Sequence, residues 1–296
     1  MKPALLLHFD DESGLATSLA QALGVPKALV ARHRFPDGES RLTLPAALPT
    51  DVLLLRGLHQ PNEKLAELAI TAPAARALGA RRLVLVAPYL AYMRQDMAFH
   101  PGEAVSQRHV AGLLAHLFDA VITVDPHLHR IASLDEVMPG SRGVALSAAT
   151  LLGHFIAQQV PGAYLVGPDE ESRQWVGVAA QEAGLDHAVC VKQRRGDRDV
   201  RVTLPTPLPV PMQGRAVVLI DDVASTARTL IDGARACFQR GAATVDAAVT
   251  HGLFIGDAMD KLREAGVRQV WSTDAVPHAS NALALAPLIS SAVSAL

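Results

Sequence analysis

The sequence predicts an α/β protein of two similar domains, each a mostly parallel sheet flanked by helices. Three observations carry this expectation. Short apolar runs of strand length alternate with longer stretches whose apolar residues recur every three or four positions. Glycines stand where the helical stretches should stop, and the same alternation runs again through the second half of the chain.

In the first half, residues 4–9, 52–55, 83–87 and 121–124 have the length and apolar content of buried strands. Residues 13–23, 63–78 and 106–118 carry the helical period, with Gly24 and Gly79 at helix ends. In the second half the strand candidates are 164–166, 188–191, 216–220, 245–250 and 269–272. The helices between them are 147–159, 172–183, 226–240 and 257–265. The turn-rich stretch 138–143 marks the expected boundary, giving domains of 1–143 and 144–296.

Composition narrows the function. The chain has 27 Lys and Arg against 29 Asp and Glu, a net charge of −2, so bulk positive charge for binding nucleic acid is missing. No run approaches the ~20 apolar residues of a bilayer span, and the first residues lack a signal-peptide cleavage pattern. Cys190 and Cys237 stand far apart, without metal-ligand spacing, and read as reduced thiols. A cytoplasmic location without membrane or nucleic-acid partners is therefore expected.

The strongest local signal is Val217-Val218-Leu219-Ile220-Asp221-Asp222-Val223-Ala224-Ser225-Thr226-Ala227-Arg228-Thr229-Leu230. It reads as a buried strand, two carboxylates, a hydroxyl-rich turn and a helix start. Ligand crevices of parallel sheets lie at the carboxyl ends of strands. A helix N-terminus there offers N–H groups and a favourable dipole to a phosphate, and Ser225, Thr226 and Thr229 add hydroxyls. Asp221 and Asp222 suit sugar hydroxyls or a hydrated cation instead. The plainer reading is a helix cap by Ser225 or Thr226 with solvated aspartates before it.

This segment resembles the phosphoribosyl pyrophosphate loop of the type I phosphoribosyltransferase fold, and further blocks resemble one family, the ribose-phosphate pyrophosphokinases. Phe35-Pro36-Asp37-Gly38-Glu39 is similar to that family's nucleotide motif, and Pro88 to Asp96 to its arginine-glutamine-aspartate segment. Pro101 to Ser106 follows in order, then Asp125-Pro126-His127 and Gly167-Pro168-Asp169-Glu170-Glu171-Ser172. The resemblance implies transfer of the β,γ-diphosphate of ATP to the 1-hydroxyl of ribose 5-phosphate, with Mg2+. It implies ATP contacts from Phe35, Asp37, Glu39, Arg94, Gln95 and Asp96, and metal contacts from His127 and Asp169. Ribose 5-phosphate would be held by Asp169, Asp221, Asp222, Ser225, Thr226, Ala227, Arg228 and Thr229. Lys192 and Arg194 match the lysine and arginine of the family's catalytic loop. The nucleotide motif reaches a neighbouring subunit's site in the family, which implies a homo-oligomer, a dimer or a hexamer.

Two departures stand out. Ala227 and Arg228 occupy turn positions where glycine is usual, and Met97-Ala98 replaces a basic pair. They keep open a catalytically weak regulatory paralogue and a diphosphokinase acting on another sugar phosphate. A phosphoribosyltransferase, which shares the 221–229 loop, would need one such domain rather than two.

Overall fold

A computed structural model of the chain describes residues 2–128, 130–194 and 200–296. It divides into unit 1, residues 1–146 with 284–296, and unit 2, residues 147–283.

Unit 1 begins with β1 (Leu5–His8), α1 (Ser13–Leu23) and β2 (Lys27–Leu29). An antiparallel hairpin follows, β3 (Ala31–Arg34) with β4 (Ser40–Thr43). Then come β5 (Asp51–Leu55), α2 (Pro61–Ala77), β6 (Arg82–Val86), α3 (Ser106–Leu117), β7 (Ala120–Val124) and β8 (Arg142–Leu146). The six-stranded sheet has the order β2-β1-β5-β6-β7-β8, with every pairing parallel. Its inner strands are covered on both faces, and for that reason they read as unbroken apolar runs rather than alternating ones. Gly24 ends α1 at φ 66°, a conformation that a side chain would resist.

Unit 2 repeats this plan. Its elements are α4 (Ala149–Gln159), β9 (Tyr164–Gly167), α5 (Arg173–Ala183), β10 (Asp186–Val189), β11 (Val191–Arg194) and β12 (Val200–Thr203). They continue with β13 (Ala216–Ala224), α6 (Arg228–Gln239), β14 (Thr244–Gly252), α7 (Ala258–Glu264), β15 (Val267–Thr273) and β16 (Asn281–Leu283). The parallel sheet runs β10-β9-β13-β14-β15-β16, the same winding as in unit 1. Strands β11 and β12 form a separate antiparallel hairpin. One apolar cluster gathers Leu219, Leu230, Ala234 and Val245, and another gathers Leu152, Val176, Val218 and Ile220. Neighbouring residues of β13 thus feed different clusters, as the two-residue period of a strand demands.

The expected boundary at 143 is corrected on two counts. Residues 142–146 are the sixth strand of the first sheet, laddered to β7 from Ala120↔Arg142 to Val124↔Leu146. The last helix, α8 (Ala286–Ala295), belongs to unit 1: it packs on α1 and touches β7 and β8. It buries Ala286, Ile289 and Val293, a stripe that needs an apolar partner. Among the described residues no helix is long and apolar enough to cross a membrane.

Candidate active site

Three carboxylates meet at the carboxyl ends of β9 and β13. Just past β9, the buried Asp169 side chain accepts the N–H groups of Glu171 at 3.1 Å and Ser172 at 3.3 Å, capping a short 3-10 turn. Gly167 allows that turn to fold back tightly, since a Cβ there would stand 2.4 Å from the Ser172 hydroxyl. Beside it, β13 does not stop at Ile220 as its apolar run suggests. It continues through Asp221 and Asp222 to Ala224, paired with β14 as far as Gly252. The two aspartates are therefore successive strand residues, with the Asp222 N–H donating to Asp221 Oδ1 at 3.0 Å. Asp221 keeps some solvent contact yet is densely surrounded by protein. Burial, then the charges of Asp222 and Asp169, push its carboxyl well above the usual range.

The chain then turns. Ser225 and Thr229 are half-buried, Thr226 and Arg228 are exposed, and Ala227 is buried with φ 57° and ψ 13°. This left-handed conformation explains why glycine would suit the position. Helix α6 starts at Arg228 with no side-chain cap, so neither Ser225 nor Thr226 caps it. Its first-turn N–H groups are left to an outside acceptor, the arrangement that binds phosphate.

Lys192 and Arg194 lie at alternate positions of β11, opposite Val202 and Val200 of β12. Their side chains, and residues 195–199, lie outside what is described.

Unit 1 carries the remaining candidates. Phe35 sits at the tip of the β3–β4 hairpin, 37% exposed, with its ring edge-on to His33 at 4.8 Å. Asp37 accepts the N–H of Glu39 at 3.1 Å, and the backbones of Phe35 and Glu39 close the turn. Arg94 is exposed, whereas its neighbours are engaged within the unit. The Gln95 carbonyl oxygen accepts the Ser106 hydroxyl at 2.5 Å, and Asp96 accepts Arg130 Nε at 3.3 Å. Asp96, Arg108 and Arg130 line a cavity of about 530 Å³. After β7, Asp125 and His127 have φ 38° and 54°, two strained residues within three. His129 lies outside the described residues.

One cluster escaped the sequence reading. The guanidinium of Arg56, fully buried, pairs with Asp11 at 2.6 Å and with Glu67, and stacks on Phe9 at 4.3 Å. Glu67 also takes Arg32 of the hairpin at 2.8 Å, Glu12 accepts the N–H of Gly57, and Lys64 donates to the Gly57 carbonyl at 2.8 Å. Arginine directly after an apolar strand was the available signal.

Residues 4–117 match the family profile of the N-terminal domain of ribose phosphate pyrophosphokinase, and residues 192–296 match the phosphoribosyl synthetase-associated domain. A ribose-phosphate pyrophosphokinase of Methanopyrus kandleri is 36% identical over 282 residues, covering 94% of each chain. One from Saccharolobus solfataricus is 31% identical over 274 residues, covering 89% of this chain and 90% of the other. The crystal structure of phosphoribosylpyrophosphate synthetase from Mycobacterium smegmatis aligns with a TM-score of 0.82 at 25% identity, covering 98% of both chains. On these grounds the chain belongs to the ribose-phosphate pyrophosphokinase family.

Proposed function

We propose that this protein transfers the β,γ-diphosphate of ATP to the 1-hydroxyl of ribose 5-phosphate, releasing AMP and phosphoribosyl pyrophosphate. The observation that carries the site assignment is the N-terminus of α6, which has no side-chain cap and lies one short turn beyond the strand that holds Asp221 and Asp222. The turn from Ser225 to Thr229 holds the 5-phosphate through backbone N–H groups and hydroxyls. Asp221 and Asp222 accept hydrogen bonds from the ribose hydroxyls and orient the 1-hydroxyl for in-line attack. Lys192 and Arg194, carried on β11, place positive charge against the migrating phosphates as charge redistributes. Phe35 stacks on adenine, Asp37 and Glu39 accept from it, and Arg94 pairs with phosphate oxygens. Gln95 and Asp96 chiefly fix the loop that presents Arg94, given their internal partners.

Among the described residues no group of three His, Cys, Asp or Glu side chains gathers as a metal cage. That fits magnesium, which keeps several waters and needs only one or two protein carboxylates. His127 and Asp169 are the residues that, by the family resemblance, would hold such a cation, largely through water. The ion supplies charge neutralisation of the triphosphate. The exposed Phe35 hairpin supports assembly as a homo-oligomer, and two buried free cysteines fit a reducing cytoplasm.

A second reading, another sugar phosphate as acceptor, is favoured by Arg228, an exposed cation at the first position of α6. The experiment is to mix protein, ATP and magnesium with ribose 5-phosphate or with other pentose and hexose phosphates, and to follow AMP. AMP formed only with ribose 5-phosphate is expected. Absence of sugar-dependent AMP refutes the proposal, and preference for another sugar phosphate establishes the second reading.

A further inference from the structure

The turn at 225–229 is not self-supporting. Ala227 is held in a left-handed conformation and α6 has no side-chain cap. Its support comes from the loop after β14. There the N–H groups of Leu253 and Phe254 both donate to the Ala224 carbonyl at 3.0 Å, and Ile255 donates to the Ser225 carbonyl at 3.0 Å. Three consecutive donors thus clamp the two residues that join the carboxylate strand to the phosphate turn.

That loop is itself strained. Phe254 has φ 36°, a region costly for a bulky aromatic residue, and yet its side chain is buried. Packing explains why the strain persists. The ring lies over Gly252, where a Cβ would stand 2.5 Å from a ring carbon and 3.1 Å from Ser272 Cβ. Its other side meets the His278 ring, centroids 4.9 Å apart. His278 is braced in turn by a directional chain. The Asn281 amide donates to Ser272 Oγ at 2.9 Å, Ser272 reaches Ser280 Oγ at 2.7 Å, and Ser280 reaches His278 Nδ1 at 2.8 Å. The Ser280 N–H also donates to Nδ1 at 3.1 Å, so that nitrogen is the acceptor and the ring orientation is set.

We propose that Phe254 is a positioning residue for the sugar-phosphate turn: its ring, seated on Gly252 and braced by His278, holds the strained loop whose three N–H groups fix Ala224 and Ser225. This rests on the reading of 225–229 as the ribose 5-phosphate cradle. Phe254 touches no substrate; it acts through the backbone it holds.

The test is steady-state kinetics and calorimetric binding of ribose 5-phosphate on Phe254→Ala, Phe254→Leu, Phe254→Tyr and Gly252→Ala. Phe254→Ala and Phe254→Leu should raise the KM for ribose 5-phosphate about tenfold, with kcat and the KM for ATP within about twofold. Phe254→Tyr, which keeps the ring, should restore wild-type values, and Gly252→Ala, which displaces it, should mimic the loss. Should Phe254→Ala fail to fold, Phe254→Leu and Gly252→Ala give the same reading. A lower melting temperature with unchanged ribose 5-phosphate KM, or an equal rise in the KM for ATP, overturns the proposal. Where the wild type forms no sugar-dependent AMP, the functional reading falls. Calorimetry then decides the positioning role by itself, weakened sugar-phosphate binding supporting it and unchanged binding overturning it.

Discussion

The two units wind their sheets alike, yet they treat the same topological place in opposite ways. In each, the strand order reverses between the first strand and the third of its sheet, at β1/β5 in unit 1 and β9/β13 in unit 2. The crevice outside the carboxyl ends of such a pair is where open α/β sheets take ligands. In unit 2 the crevice gathers Asp169, Asp221 and Asp222, and burial together with the charges of the other two pushes the Asp221 carboxyl well above the usual range. In unit 1 the same crevice gathers Asp11 and Glu12 after β1, and Arg56 and Lys64 supply the opposite charge from β5 and α2. Topology makes the crevice; the charge of the residues beside it decides whether the protein fills it or leaves it for substrate.

The largest test removes the filling. Arg56→Ala leaves the buried Glu67 and Glu12 without the cation they share with Asp11 and should destabilise the protein by about 3–5 kcal/mol, read as a lower denaturation midpoint. A loss below 1 kcal/mol would mean that water, not Arg56, satisfies the crevice.

The second probes its pH dependence. Burial pushes Glu12 up to about 7, against the partial relief from Arg56. A carboxyl with a raised folded pKa binds more protons folded than unfolded, so stability is full at low pH and falls as pH rises from about 4.5 to 7. The slope amounts to roughly 3 kcal/mol at most over that window. Glu12→Gln should flatten it; parallel denaturation curves for both proteins would refute the assignment.

The third turns to the open crevice. Asp221→Asn should cut turnover about a hundredfold or more, since the proposed function places this carboxylate on the ribose hydroxyls. It should also raise stability at neutral pH, because the same sign rule makes the crowded Asp221 carboxyl a growing cost above its ordinary pKa. Below pH 4 the gain should vanish. Thermal unfolding across pH measures it, and an unstable variant at pH 7 would contradict the crowding.

The smallest effect belongs to the turn. Ala227→Gly relieves a left-handed alanine and should stabilise the protein by about 1 kcal/mol while leaving the ribose 5-phosphate KM near wild type. A loss of stability would show that Cβ packing outweighs backbone strain.

Much of this was readable before any coordinates. Residues 13–23 predict α1 to the residue, and the inner strands follow from apolar runs that only a sheet buried on both faces explains. The missed strands are mostly short or exposed: β2, β3, β4, β12 and β16, with β8, whose half-buried residues carry little pattern; the apolar helix α8 was missed as well. The strand through Asp221 and Asp222 was cut short at Ile220 because charge reads as a strand end, whereas the ladder to Val249 and His251 carries it on.

By itself, the sequence determined the alternation of strands and helices, the carboxylate-and-hydroxyl segment 221–229 and the family motifs, because period, punctuation and residue chemistry are local. Tertiary structure alone decided that α8 returns to unit 1, that Arg56 fills one crevice and that Asp221 stays crowded in the other. It also decided that the loop after β14 hydrogen-bonds Ala224 and Ser225 at the start of the 225–229 turn. Each of these depends on residues far apart in sequence meeting in space, and on how closely the surrounding protein packs its charges.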